Sequence, residues 1–217
     1  PLQTKDSSMQ ATPMMFRVPW PIRKLFGSVC LWEMPSGSKT IYLSFDDGPD
    51  PLVTPGVLDI LSRYGARATF FMLGEKAERH PDLVSRVLER GHSIGVHGYT
   101  HLNGFHTPAA AYLENALRCR PIISSDLYRP PYGKLTPLQL VWLRRHGFRV
   151  IMWTMMAYDF RPSVSASHCL AACLRQASDG AIMVFHDNAL ASAKLLQVLP
   201  DFLLEMSGRG YSFAGIP

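Results

Sequence analysis

Short apolar segments and longer amphipathic segments alternate about seven times along this chain of 217 residues. The first apolar segment, KTIYLSF, is followed by apolar residues at helical spacing, from Val57 to Tyr64, and then by Gly65. The later apolar segments are ARATFFML, HSIGV, DLYR, FRVIMW and AIMVF, and GYSFAG follows near the end. Strands that alternate with helices predict an α/β fold with a parallel sheet. Seven such repeats favour a closed or nearly closed barrel, with an open doubly wound sheet as the alternative.

Threonine-proline pairs mark three of the predicted helix starts. Threonine at the N-cap with proline at the first helical position is typical of helix N-termini. Such pairs begin at Thr54, Thr107 and Thr136. Further helices are predicted around residues 83–88 and over residues 165–177 and 193–207.

The alternation begins only after residue 38. Residues 1–38 are therefore predicted to precede the main domain, which covers residues 39–217. Residues 1–13 are polar and are predicted to be disordered. The apolar segment that follows is broken by Pro19, Pro21 and Pro35, and we expect it to form an arm that packs on the domain.

Composition and charge argue against several classes of partner. With 47% hydrophobic and 18% charged residues, the chain has the composition of an ordinary globular protein. Its net charge of +5 is spread along the chain, without the basic stripe and interleaved aromatic residues of a nucleic-acid-binding protein. No segment approaches the ~20 apolar residues that cross a bilayer. The N-terminal segment lacks the apolar core of a signal peptide, so a cytoplasmic location is predicted by default.

The sequence says little about the role of the cysteines or about the oligomeric state. The cysteines do not show zinc-knuckle spacing and are predicted to be free or buried thiols; they are Cys30, Cys119, Cys169 and Cys173. No pattern in the chain predicts an oligomeric state.

Titratable side chains cluster directly after the predicted strands. They are Asp46 and Asp47 after the first strand, His97 and His101 after the third, Arg129 after the fourth, Asp159 after the fifth, and His186 and Asp187 after the sixth. In parallel α/β folds the carboxyl ends of the strands converge on one face, where active sites are built. We therefore expect these side chains to share a site.

Two histidines four residues apart suggest a metal site. On a helical turn, His97 and His101 would face the same way. Two histidines and one carboxylate form a ligand set of catalytic zinc sites, which leave a further position open for water. One of the two adjacent aspartates could complete this set, and the other could act as a base beside the metal.

The motifs SFDDGPD, HGYTH, RPPYG and MVFHD, in this order and at these spacings, resemble those of the polysaccharide deacetylase (NodB-homology) family, carbohydrate esterase family four. The resemblance covers residues 39–214. It implies a distorted seven-stranded (β/α) barrel and a hydrolase that removes acetyl groups from a carbohydrate by attack of a metal-bound water. It also implies a divalent metal ion, most often zinc, with cobalt, nickel or manganese as alternatives.

Carried over by position, the resemblance implies a role for each motif residue. Asp46 looks like the general base, and Asp47, His97 and His101 look like the metal ligands. Arg129 resembles the arginine that holds the carboxylate of the base, for which we expect a bidentate pair.

The remaining roles concern the leaving group and the pocket. The backbone N–H of Tyr132 would stabilise the tetrahedral oxyanion. His186 looks like the general acid, and Asp159 resembles the acidic residue that tethers Arg129 or tunes His186. The pocket around the acetyl group would be walled by Trp153, Phe160 and Val184.

Several positions depart from the family pattern. Gly98 stands where serine or threonine is usual, so a loop hydrogen bond is lost or Thr100 supplies it. Met156 stands where aspartate is common, Phe160 where tryptophan is common, and Val184 replaces a frequent leucine. These changes concern the substrate more than the reaction.

Three functions are compatible with this sequence. The first is an N-acetyl hydrolase acting on an N-acetylglucosamine-containing glycan or saccharide. An O-acetyl esterase or non-sugar amidase would use the same site, and a saccharide-binding relative without turnover is the third. Outside the motifs, Asp187 and Asn188 have the composition of a helix N-cap region.

Overall fold

The computed structural model describes residues 16–217, so the prediction for residues 1–13 lies outside the described residues. Within that range eight strands and eight α-helices follow one another. The strands are β1 Thr40–Asp46, β2 Thr69–Met72, β3 Ser93–Val96, β4 Leu127–Tyr128, β5 Arg149–Val150, β6 Met155–Met156, β7 Ile182–His186 and β8 Ser212–Ala214. The helices are α1 Trp20–Phe26, α2 Thr54–Arg63, α3 Gly74–Arg79, α4 Pro81–Glu89, α5 Ala109–Leu117, α6 Pro137–Arg145, α7 Ala166–Gln176 and α8 Ser192–Gly208.

The sheet has the order β5-β4-β3-β2-β1-β7-β6, and β8 pairs with the start of β1. Its strand pairs are all parallel, which confirms the predicted α/β fold. β1 lies at the centre, where Phe45 stacks between Phe70 of β2 and Phe185 of β7 with ring centroids 5.0 and 5.9 Å away. Burial of such aromatic side chains drives packing of the central strands.

The barrel is distorted where its two ends meet. β5 pairs with β4, whereas β6, five residues further along, pairs with β7 at the other end of the sheet. The predicted strand FRVIMW is therefore confirmed only at its start, and β6 was not predicted. The short segment between β5 and β6 brings the two ends of the sheet together.

Residues 16–38 pack along this junction. Leu31 forms a bridge with Ile151, and Glu33 forms one with Ala181 beside β7. The Met152 N–H donates to the Leu31 carbonyl at 2.7 Å. The segment also contains α1, which the sequence pattern did not predict, and a domain boundary at residue 38 stays a prediction.

Only one of the three threonine caps is confirmed. Thr136 Oγ1 accepts from Gln139 N at 3.3 Å, and Gln139 Oε1 accepts from Thr136 N at 2.8 Å, which forms a capping box before α6. Thr54 instead lies within the first turn of α2, and Thr107 donates to the Asn103 carbonyl. Neither has a Glu or Gln three residues later, which explains why no capping box forms.

Three other predicted helices are confirmed as α4, α7 and α8, and the short α3 was not predicted. All four cysteines are buried and unpaired, as predicted. Among residues 16–217, no helix combines the length and the apolar composition that crossing a membrane requires.

Candidate active site

The carboxyl ends of the central strands form one wall of a cavity of about 530 Å³. Asp46 ends β1 and His186 ends β7, and the two residues are directly paired in the register of these strands. The predicted site residues that line the cavity are Asp46, Asp47, His97, His101, Tyr132, Trp153, Phe160 and His186. The structure therefore brings together side chains that are up to 140 positions apart in sequence, from Asp46 to His186.

Arg129 holds Asp46 from below the cavity. Arg129 is completely buried, and its Nη1 donates to Asp46 Oδ1 and to Ser44 Oγ, both at 2.7 Å. Its Nη2 donates to the Met152 carbonyl at 3.1 Å, so the predicted bidentate pair is wrong and a single nitrogen contacts the carboxylate. Arg129 therefore contacts Asp46 through Oδ1 alone, and Asp46 itself lines the cavity.

Asp47, His97 and His101 offer three ligand atoms that lie within 4.8 Å of one another. Asp47 Oδ1 lies 3.2 Å from His101 Nε2 and 3.5 Å from His97 Nε2. Within residues 16–217 this buried oxygen makes no hydrogen bond of acceptable geometry. One carboxylate oxygen and two imidazole nitrogens directed at a common point, without hydrogen bonds between them, fit a divalent metal ion.

The surroundings of these ligands also suit a metal. His97 Nδ1 donates to the Arg129 carbonyl at 2.8 Å, which leaves the lone pair on Nε2 for the site. Burial lowers the pKa of His97, so the ring is neutral at neutral pH. Burial alone would raise the pKa of Asp47, but the contacts with the two histidines hold it below its ordinary value. Asn188 Nδ2 donates to Asp47 Oδ2 at 2.8 Å, a contact that was not predicted, because the sequence pattern places Asn188 in a helix N-cap region.

The two histidines are not on a helical turn, so this part of the prediction is wrong. His97 follows β3, and the chain then turns at Gly98 with φ +82° before an irregular loop reaches His101. The imidazole rings nevertheless meet, with centroids 5.0 Å apart. A Cβ at position 98 would lie 2.7 Å from Asn115 Oδ1, so glycine leaves the space that the Asn115 side chain occupies. Asn115 Nδ2 donates to Thr100 Oγ1 at 2.8 Å, so Thr100 does supply a loop hydrogen bond.

Asp159 positions His186 rather than Arg129. Asp159 Oδ1 lies 2.8 Å from His186 Nδ1, and Oδ2 accepts from the His186 backbone N–H at 2.8 Å. Burial lowers the pKa of His186, but the Asp159 carboxylate outweighs it and raises the pKa to about 9. The phenyl ring of Phe160 packs edge-on against His186 at 4.6 Å. His186 is thus protonated at neutral pH and can donate a proton into the cavity.

Replacing Asp159 with asparagine is expected to move the alkaline limit of activity to lower pH. The raised pKa of His186 means that the acid form is present below about pH 9 and is lost above it. Without the carboxylate, burial dominates and the pKa of His186 falls. A pH–rate profile should show activity at pH 8 reduced more than activity at pH 6. Equal losses at both values would show that Asp159 does not act through the charge of His186.

The pocket wall agrees with the prediction in part. Trp153 and Phe160 line the cavity, and Tyr132, with φ +58°, places its ring 4.3 Å from that of His101. Val184 is wrong as a wall residue: it is completely buried in β7, two residues below His186, and does not reach the cavity. Met156, which the family pattern marked only as a departure, lines the cavity instead.

Asp187 was expected near the site but was assigned no role beyond a helix N-cap region, and the structure shows that it anchors the loop that carries Asp47. Its carboxylate is completely buried, and Oδ2 accepts from Thr54 Oγ1 at 2.6 Å. A Cβ on Gly48 would lie 2.2 Å from the same oxygen, so Asp187 packs directly on the backbone of the loop. Burial raises the pKa of Asp187 to about 8. The available signal in the sequence was an aspartate directly after a predicted strand and next to a candidate catalytic histidine.

Substituting valine for Thr54 is expected to lower the free energy of unfolding by about 1–3 kcal/mol, because the buried Asp187 carboxyl loses its hydrogen-bond donor. Thr54 Oγ1 also accepts from the Asp50 N–H at 2.8 Å, and this bond is lost as well. Urea denaturation measures the change. Thr54→Ser, which keeps the hydroxyl, serves as the control and should retain most of the stability; a valine variant as stable as the serine variant would contradict the anchoring role.

Comparison with known proteins agrees with this geometry. Residues 33–151 match the family described as Polysaccharide deacetylase. A peptidoglycan-N-acetylglucosamine deacetylase of Bacillus cereus is 32% identical over 196 residues, which cover 85% of this chain and 90% of the relative. A chitooligosaccharide deacetylase of Bradyrhizobium is 31% identical over 175 residues, 77% of this chain and 76% of the relative.

A solved structure supports the same assignment. The crystal structure of a peptidoglycan N-acetylglucosamine deacetylase superposes with a TM-score of 0.81 at 28% identity, covering 86% of this chain and 90% of that chain. The family match includes β1, β3 and β4, which carry most of the candidate site. The chain therefore belongs to the polysaccharide deacetylase family and is a hydrolase of that type.

Proposed function

We propose that this protein removes the N-acetyl group from N-acetylglucosamine units of a glycan in a metal-dependent reaction. The observation that carries the proposal is one cavity lined by three metal-donor residues, by a carboxylate fixed by Arg129, and by His186, whose Nδ1 lies 2.8 Å from Asp159 Oδ1. Relatives named for peptidoglycan N-acetylglucosamine and for chitooligosaccharides both support an N-acetylated glycan as the substrate.

A divalent ion held by Asp47, His97 and His101 would lower the pKa of a water and polarise the acetamide carbonyl. Zinc is the ion we expect, with cobalt, nickel and manganese as alternatives. Neutral imidazoles and a carboxylate suit each of these ions, so the donor set does not select among them.

The protein's own groups handle the two protons of the reaction. Asp46 lines the cavity and accepts the proton of the attacking water, while Arg129 compensates the charge of its carboxylate. The carbonyl carbon gains the oxygen of water, and the bond to the sugar nitrogen then breaks. His186 donates the proton that the departing amine takes, so that acetate and a free amine leave the site.

Further protein groups would contact the acetyl group of the substrate. The Tyr132 N–H would donate to the oxygen of the tetrahedral intermediate, for which such donors contribute about 3–4 kcal/mol. Trp153 and Phe160 line the same cavity and would enclose the methyl group. Trp153 itself packs on Gly133, where a Cβ would lie 2.5 Å from its ring, so the wall is fixed against the loop of Tyr132.

The test is acetate release from N-acetylglucosamine oligosaccharides of increasing length, with metal analysis of the purified protein. We expect about one divalent ion per chain, activity lost on chelation, and activity restored by zinc. The Asp47→Ala/His97→Ala double variant is the control, and its retaining wild-type activity would overturn the mechanism.

An O-acetyl esterase would use the same water and acid. Faster acetate release from acetylated xylan than from N-acetylglucosamine oligosaccharides would favour that function instead. A zinc-loaded protein that releases no acetate from any acetylated saccharide would instead favour a saccharide-binding relative. A cytoplasmic location stays a prediction.

A further inference from the structure

The three proposed metal ligands lie in two separate loops. Residues 47–53, the aspartate loop, join β1 to α2, and residues 97–103, the histidine loop, follow β3. A metal site requires its ligand atoms in one arrangement, so the two loops have to be held relative to each other by neighbouring parts of the protein. The start of α3 contacts both loops.

Backbone N–H groups at the start of α3 connect the two loops. The Leu73 N–H donates to the carbonyl of Gly48 in the aspartate loop at 2.9 Å. The Gly74 N–H donates to the carbonyl of Gly98 in the histidine loop at 2.9 Å, and the Glu75 N–H donates to the next carbonyl of that loop at 3.0 Å. The first N–H groups of a helix have no partner within the helix, so α3 makes these bonds without losing any of its own.

The approach of α3 to the histidine loop is close. A Cβ on Gly74 would lie 2.8 Å from Tyr99 Cδ2 and 2.8 Å from Cys119 Sγ. The absence of a side chain at this buried position therefore allows the helix to come within hydrogen-bonding distance of the loop.

Lys76 adds a contact through its side chain. Its Nζ donates to the Asp47 carbonyl at 2.8 Å, and the side chain is half-buried. Asp47 has φ +74°, a left-handed conformation that is uncommon for residues other than glycine, and the direction of its carboxylate depends on this conformation. Within residues 16–217, Lys76 forms no ion pair with a carboxylate. Its ammonium group is instead directed at the backbone of a proposed ligand.

We propose that Lys76 is a positioning residue for the metal site, because it holds the backbone from which the Asp47 carboxylate projects. This inference rests on the proposed function, since it concerns the metal site that the function requires. The other bonds from the start of α3 come from backbone groups, whereas the bond of Lys76 can be removed by substitution. Lys76 lies outside the lining of the cavity, so it acts through Asp47 rather than on the substrate.

The experiment is zinc titration of the wild type, Lys76→Met and Lys76→Arg against a competing chelator. Methionine is a good helix former without a donor, so Lys76→Met loses the bond to the Asp47 carbonyl while α3 is retained. We expect it to bind zinc about tenfold more weakly, the lower end of the range for outer contacts of metal ligands. Lys76→Arg keeps a cationic donor and should bind zinc nearly as tightly as the wild type.

The sign of the effect separates positioning from charge. Removing a positive charge near a cation site would by itself strengthen binding of the cation, so weaker zinc binding by Lys76→Met has to come from the lost hydrogen bond. The absorption spectrum of the cobalt-substituted protein provides a second measurement, and it should differ from the wild-type spectrum in Lys76→Met because the ligand geometry changes.

Lys39→Met is the matched control. Lys39 Nζ also donates to a backbone carbonyl, that of Arg209 at 3.4 Å, but it precedes β1 at the opposite end of the strand from Asp47. Its substitution should leave the zinc affinity and the cobalt spectrum unchanged. Circular dichroism and thermal unfolding of the metal-free variants verify that each is folded. Wild-type zinc affinity in Lys76→Met, or an equal loss in Lys39→Met, would overturn the inference.

Failure of the proposed function would be recognised separately, as absence of acetate release by the zinc-loaded wild type, and the zinc affinities would still decide the role of Lys76. With an active wild type, excess zinc should restore the kcat of Lys76→Met to the wild-type value. A kcat that stays low at full zinc occupancy would overturn a role through metal binding.

Discussion

Replacing Asp46 with asparagine is expected to lower kcat by about 10²–10⁴-fold while the metal stays bound, since general-base catalysis contributes a factor of this size. Asparagine can still accept the hydrogen bond from Arg129 Nη1, but it cannot accept a proton from water. Asp46 is not among the three clustered ligand residues, so metal content should equal that of the wild type. Acetate release and metal analysis on the same preparation check both parts.

The control for this variant is Asp82→Asn, an equal change of charge on the exposed surface of α4. Loss of the Asp46 charge leaves the buried Arg129 without its ion-pair partner, so the fold of the variant has to be verified by circular dichroism and thermal unfolding. A folded Asp46→Asn protein that retains more than about a tenth of wild-type kcat would contradict the assignment of the base.

The second large effect is expected for Asp47→Asn, which should weaken metal binding by more than about 100-fold. Outer contacts of metal ligands typically contribute 10–100-fold, and loss of a ligand charge should exceed that. Asn188→Ala provides the graded comparison, because it keeps the Asp47 carboxylate and removes the hydrogen bond to Asp47 Oδ2, together with the bond that Asn188 Oδ1 accepts from the Ala191 N–H. Zinc titration against a competing chelator measures the three affinities, with the wild type tightest and Asp47→Asn weakest.

Activity of Asp47→Asn should follow metal occupancy, unlike that of Asp46→Asn. Excess zinc should restore part of the activity of Asp47→Asn and Asn188→Ala, whereas it should restore nothing in Asp46→Asn. Wild-type zinc affinity in Asp47→Asn would show that this carboxylate is not a ligand. The two neighbouring aspartates are therefore separable by experiment.

Local sequence patterns predicted the fold wherever the physical signal was itself local. The apolar strands and amphipathic helices are such signals, and so is the capping box of Thr136 with Gln139. Thr54 and Thr107 lack the residue that completes a capping box, and the first of them bonds instead to Asp187, 133 positions away. β6 has two residues, and its position depends on pairing with β7, so no local periodicity could reveal it.

The candidate site was predictable in its residue types but not in its geometry. Strand ends and motif order indicated Asp46, Asp47, His97 and His101 without any contact being known. Arg129 contacts Asp46 through Nη1 alone because its Nη2 and Nε donate to the carbonyls of Met152 and Ile151. Val184 was expected in the pocket wall from its position in the motif MVFHD. The motif does not show that Val184 lies two residues before the end of β7, where its side chain is completely buried.

The proposed base, Asp46, and the proposed acid, His186, lie on the neighbouring strands β1 and β7 and are directly paired in their register. Adjacent strands in a sheet are held about 4.8 Å apart by backbone hydrogen bonds. The distance between the group that takes up a proton and the group that releases one is therefore set by the backbone of the sheet, whereas Tyr132, Trp153 and Phe160 lie in connections outside the strands. Loop exchange between relatives should consequently change which glycan is accepted without altering the proton-transfer pair, so chemistry and substrate choice can evolve independently.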